Sequence, residues 1–297
     1  MTQFEDRFWS SRDGLSLHFR DYPGGEGRPP VLCLPGLTRN GRDFEGLAER
    51  ISGQWRVLCP DMRGRGDSAY AKDAQTYTPL QYVQDVEALL EEARIDRFVA
   101  IGTSLGGVMT MLLALMQPGR IAGAVLNDIG PVIEPAGLDR IRDYVGQGRS
   151  YPTWMHAARA LEEAQATVYP KFEIADWLRT AKRVMTVGQS GRIVFDYDMK
   201  IAEPFNEPGA ATAIDLWPAF EALGKAPLLC LRGELSDLLS AETLAQMAER
   251  LPAAEMVTVP AVGHAPTLDE PEADAAIGRL LARLPAGLPA GLPDRVS

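Results

Sequence analysis

The chain has 297 residues, 46% of them hydrophobic and 24% charged, the balance of a globular protein with a large buried core. A formal charge of −10 and a sequence pI near 4.9 exclude a basic face for nucleic acid or anionic membrane and mildly disfavour polyanionic substrates. The opening MTQFEDRFWSS carries acids and no apolar segment of the secretion-signal kind. The longest apolar stretch, near 108–116, falls short of the roughly 18 residues a membrane helix needs. A cytoplasmic protein with no membrane contact is therefore expected.

Two alternating segments around the turn SRDG, FEDRFWS and LSLHFRDY, predict an N-terminal β-hairpin. After the linker PGGEGRPP, short apolar runs read as strands at 31–34, 55–60, 98–102, 121–128, 227–233 and 254–260. Helical periodicity falls between them, notably at 79–94, 105–117, 241–251 and 272–284. This alternation predicts an α/β fold: a mostly parallel central sheet with helices on both faces, built from 1–130 and 218–284. The interval 131–217 is rich in aromatics, shows helical patterns and no strong strand run, and reads as an inserted helical cap. The tail, 285–297, is a Pro/Gly/Leu repeat too low in complexity to pack. Cys33, Cys59 and Cys230 each sit inside a strand run and read as reduced core residues.

The run VAIGTSLGGVM breaks from strand to helix at Ser104, with Gly102 and Gly106 two residues to either side. A serine hydroxyl needs an adjacent base to act as a nucleophile, and flanking glycines clear the sharp turn that would expose it. Three histidines narrow the search for the base. His18 lies in the hairpin and reads as structural; His156 lies on a helix face of the insertion; His264 follows the last strand, in VGHAPTLDEPE, and reads as the base. Asp237, after the preceding strand, is the preferred orienting acid, with Asp128 and Glu234 as rivals. Oxyanion donors are expected from the backbone N–H of Leu105 at a helix start and of Leu37 in the loop CLPGLTRN.

These residues resemble the α/β-hydrolase superfamily over nearly the whole chain, from about 4 to 284. DMRGRGDS (61–68) is similar to that family's Asp-x-Arg-Gly-x-Gly-x-Ser loop, where Arg63, Gly64 and Gly66 read as a tight structural turn. Pro35-Gly36 stands where many members have His-Gly. The resemblance implies a Ser104–Asp237–His264 triad and a small-molecule substrate. Serine at the elbow disfavours the dehalogenase and epoxide hydrolase chemistries, which use aspartate there. The expected activity is hydrolysis of a carboxylic ester or lactone; hydrolysis of a carbon–carbon bond in ring-cleavage products and a ligand-binding receptor are the alternatives. Trp154, Met155 and Trp177 are expected to line a mainly apolar pocket. No metal or organic cofactor is expected, since no phosphate-cradling glycine loop and no His/Cys cluster occurs.

Overall fold

A computed structural model describes residues 3–207 and 215–284. The expectation for the tail, 285–297, lies outside the described residues. The hairpin forms from β1 (Glu5–Ser10) and β2 (Ser16–Tyr22). There follow β3 (Val31–Leu34), α1 (Glu45–Ile51), β4 (Val57–Pro60), α2 (Pro79–Glu92), β5 (Phe98–Thr103), α3 (Leu105–Met116) and β6 (Ile121–Asn127). The insertion carries α4 (Pro135–Tyr144), β7 (Ser150–Tyr151), α5 (Trp154–Gln165), α6 (Ile174–Val184), β8 (Met185–Val187), β9 (Ile193–Phe195) and α7 (Ala202–Phe205). The chain returns to the core through α8 (Trp217–Ala222), β10 (Leu228–Gly233), α9 (Ala241–Arg250), β11 (Glu255–Val259) and α10 (Pro271–Ala282).

The main sheet has eight strands in the order β1-β2-β4-β3-β5-β6-β10-β11. From β4 to β11 every neighbouring pair is parallel, and only the β1–β2 and β2–β4 pairs are antiparallel. The central strands are apolar on both sides, and successive residues feed opposite cores. Leu32 and Leu34 face the layer that includes α2 and α3, whereas Val31 and Cys33 face the layer that includes α1 and α10. Local chemistry fixes the helix starts. Thr78 accepts the Gln81 N–H ahead of Pro79, and Ser240 accepts that of Thr243. All three cysteines are free and buried. Among the described residues no helix is long and apolar enough to cross a membrane.

The insertion departs from expectation in one respect: it contains a three-stranded antiparallel sheet, ordered β7-β9-β8. Strands of two or three residues are too short to show period-two alternation, so the sequence pattern carried only the helices. The insertion has its own core, centred on Ala157, Leu161, Trp177, Ala181 and Ile193.

Candidate active site

Ser104 stands between β5 and α3 with φ 53° and ψ −118°, a conformation that L side chains adopt only under constraint. The constraint is packing. A Cβ on Gly102 would lie 2.3 Å from the Gly106 carbonyl oxygen, and one on Gly106 would lie 1.9 Å from that of Leu34. Only glycines let the strand end, the helix start and β3 approach this closely. The Ser104 N–H donates to the Asn127 carbonyl at 3.0 Å, tying the elbow to β6.

His264 meets Ser104 from the loop after β11: its Nε2 lies 2.9 Å from Ser104 Oγ. Its Nδ1 lies 2.7 Å from Oδ2 of Asp128, the residue that follows β6. The carboxylate of Asp128 is fully buried and is held by two further donors, the Gly233 N–H at 2.7 Å and the Ser236 hydroxyl at 2.6 Å. With Nδ1–H donating to Asp128, Nε2 is free to accept the serine proton.

The expectation that Asp237 would orient His264 is therefore corrected. The loop after β10 turns so that Ser236 faces Asp128, while Asp237 pairs with Arg140 of α4 at 2.5 and 2.8 Å. The Arg140 guanidinium holds the Asp237 carboxyl below the usual carboxylate range. Glu234 is also placed elsewhere, its Oε2 accepting the Ala261 N–H at 2.7 Å. The signal for Asp128 was its place just after β6, the strand hydrogen-bonded to β5, whereas β10 lies one strand further from the serine.

The loop after β3 lies beside the elbow. A Cβ on Gly36 would lie 3.7 Å from Ser104 Cβ, so a side chain there would fill the space next to the hydroxyl. The N–H groups of Leu37 and Leu105 have no acceptor among the described residues. Arg65, almost wholly buried, fixes the loop by donating Nε and Nη2 to the Leu37 carbonyl at 2.9 and 2.7 Å. Arg63 is anchored instead to Asp85 and Asp13.

A family model for the alpha/beta hydrolase family matches residues 31–276. The chain belongs to that family. It is 37% identical over 256 residues to the 3-hydroxybutyrate-oligomer hydrolase of Cupriavidus necator, covering 84% of this chain and 87% of that protein. It is 28% identical over 253 residues to the 2-(acetamidomethylene)succinate hydrolase of Mesorhizobium japonicum, covering 84% and 85%. A crystal structure of an alpha/beta hydrolase from Novosphingobium aromaticivorans, 67% identical, superposes with a TM-score of 0.92 over 95% of this chain and 99% of that one.

In this alpha/beta hydrolase a cavity of about 350 Å³ opens over Ser104 and His264, between the core loops and the insertion. Trp154, Met155 and Trp177 do not line it, contrary to expectation. Trp177 is 1% exposed and packs edge-on against Phe172 in the insertion's core; Trp154 packs on that same core, and Met155 is 44% exposed. An amphipathic helix buries its largest apolar residues against its own partners first. His156 closes the start of α5 on Thr153 and stands outside the cavity as well. The lining is mainly apolar, as expected, but Arg39, Arg140, Arg149 and Arg183 also contribute to it beside Tyr144 and Tyr169. Burial pushes the Tyr169 hydroxyl up to about 12, and it donates to the Ala265 carbonyl at 2.8 Å. Of these unforeseen residues, Arg39 alone carried a sequence signal, two positions after Leu37 in the same loop.

His18, Asp61 and Asp67 approach closely enough to hold a metal ion. The Asp61 oxygens are already engaged by the Gly41 N–H at 2.7 Å, the Asp67 N–H at 3.0 Å and the His18 ring at 2.8 Å. That donor set describes a fastened turn rather than an open ligand shell.

Proposed function

We propose that the protein is a serine hydrolase that cleaves a small to medium carboxylic ester or lactone through an acyl-enzyme. The observation that carries this reading is His264 bridging Ser104 Oγ at 2.9 Å and Asp128 Oδ2 at 2.7 Å. As Ser104 Oγ attacks the carbonyl carbon, its proton passes to His264 Nε2, and Asp128 stabilises the imidazolium while remaining ionised. The N–H groups of Leu37 and Leu105 receive the oxyanion, the latter at a helix N-terminus where the dipole favours negative charge. The leaving alcohol takes the proton from Nε2. A water then surrenders a proton to the same nitrogen as it attacks the acyl carbon, and that proton passes from Nε2 to Ser104 Oγ as the acyl–oxygen bond breaks and the acid leaves. The insertion acts as the cap that roofs the cavity. The similarity to an oligomer hydrolase brings esters of short hydroxyacids forward as the first substrates to test.

Wild-type, Ser104→Ala, Asp128→Asn and Asp237→Asn proteins assayed on nitrophenyl esters, lactones, hydroxyacid dimers and a ring-cleavage dienoate test this reading. Ser104→Ala is expected to abolish turnover. Asp128→Asn is expected to lower kcat by roughly 10⁴-fold, the scale of a mis-set tautomer, and Asp237→Asn to give no loss on that scale. Wild-type rates in Ser104→Ala would remove the mechanism; the reverse order for the two aspartates would return the orienting role to Asp237. Turnover of the dienoate with slow esters would move the reading to carbon–carbon bond hydrolysis.

A further inference from the structure

The cavity over Ser104 reverses the sign of the chain that encloses it. The protein carries a formal charge of −10, yet arginines 39, 140, 149 and 183 line the cavity against only two aspartates, 43 and 143. Two of these arginines are held in a particular way. Asp43 accepts from Nε and Nη2 of Arg39 at 2.6 and 2.8 Å, and Asp237 accepts from the same two atoms of Arg140 at 2.5 and 2.8 Å. Each guanidinium is thus fixed along one edge, while its Nη1 has no acceptor among the described residues. Both line the cavity together with Tyr144 and Tyr169, so they border one space. Arg39 also borders the nucleophile: a Cβ on Gly36 would lie 3.4 Å from Arg39 Cγ and 3.7 Å from Ser104 Cβ. Bidentate pairing orients the planar fork before any ligand arrives, which reduces the ordering cost of binding.

Resting on the hydrolase reading above, we infer that the substrate carries a free carboxylate beside its scissile ester, and that the unpartnered edges of Arg39 and Arg140 receive it. The acids that hold the two guanidiniums leave a local site able to take one anionic group, not a polyanion. A cavity of about 350 Å³ lies at the small end of ligand pockets, which suits a short carboxylated ester rather than a long acyl chain. Arg140 enters from the insertion and Arg39 from the core, so the carboxylate would be gripped from both sides of the cleft.

The test compares a linear hydroxyacid dimer with a free carboxyl end, such as that of 3-hydroxybutyrate, with its neutral primary amide. Wild-type protein is expected to favour the free acid in kcat/KM by roughly tenfold to a hundredfold, chiefly through KM, the range of a charge-assisted hydrogen bond. That ratio should collapse at least tenfold in Arg39→Gln and in Arg140→Gln, and should be partly restored in the corresponding lysine variants. Equal rates for acid and amide in the wild type, or variants that slow both substrates by the same factor, would overturn the inference. A second arm titrates glutarate into Ser104→Ala protein with and without Arg140→Gln. Glutarate binding that needs Arg140, in a protein whose wild type turns over no ester, would support the anion site and sink the hydrolase reading. Intact ester turnover with no glutarate binding would sink the anion site alone.

Discussion

At Gly106 there is no room for a single added methyl, because the Leu34 carbonyl oxygen would lie 1.9 Å from it. Backbone cannot yield as a flexible side chain can, so Gly106→Ala is expected to cost about 1–3 kcal/mol and lower Tm by roughly 2–12 °C. A variant that melts with the wild type would show that the elbow relaxes freely. The same two glycines are why Ser104 could be read from the sequence: a motif is legible when each position answers a local steric demand. His264 was legible for a different reason, since only three histidines compete and only one follows the last strand. Asp128 was obscured because two strand ends offered a carboxylate, and the choice depended on which way a loop turned. Ser236, next to the favoured Asp237, faces inward and donates to Asp128. Arg39 could be placed near the site by its spacing from Leu37 and Arg140 could not, and the role of both depends on what holds the fork, which spacing does not encode.

His18 ties the hairpin of β1 and β2 to the loop after β4, its ring lying 2.8 Å from Asp61 and 3.0 Å from Asp6 of β1. Burial opposes its charged form, but the hydrogen bond and charge of Asp61, aided by Asp6, prevail and raise its pKa. A raised native pKa means that the protonated ring favours the fold. That contribution is whole below the unfolded value of about 6.5 and drains away as pH climbs through the native pKa. Melting curves of His18→Gln should therefore show a larger deficit against the wild type near pH 5.5 than near pH 9. An equal deficit at both would assign His18 to packing alone. The alternation of strands and helices fixed the mainly parallel sheet in advance, and the match between predicted runs and β3, β5, β6 and β10 follows from their apolarity on both faces. The brief strands of the insertion lacked that signature. Its aromatic residues signalled a core but could not say whose core it was.

Across the whole molecule, net charge proved a poor guide to the cavity. A formal −10 sums over the entire surface, whereas four arginines converge on one cleft. The insertion is also stitched to the loops that surround the serine. Asn40 and Arg42 both donate to the Arg183 carbonyl, and Arg42 pairs with Asp196. On the far side Gly263 N–H donates to the Val168 carbonyl at 2.7 Å, and Tyr169 donates to Ala265, so 168–169 runs beside the histidine loop. Removing one strand of that seam, Tyr169→Phe, is expected to lower kcat about 3- to 10-fold while Tm changes little. An unchanged kcat would mean that the histidine keeps its position unaided.

That seam has a consequence for traffic. A roof sewn to the loop that carries the imidazole cannot swing clear without dragging the imidazole with it. Lifting the insertion would shift the base relative to Ser104, so substrate is expected to enter, and products to leave, with those contacts intact.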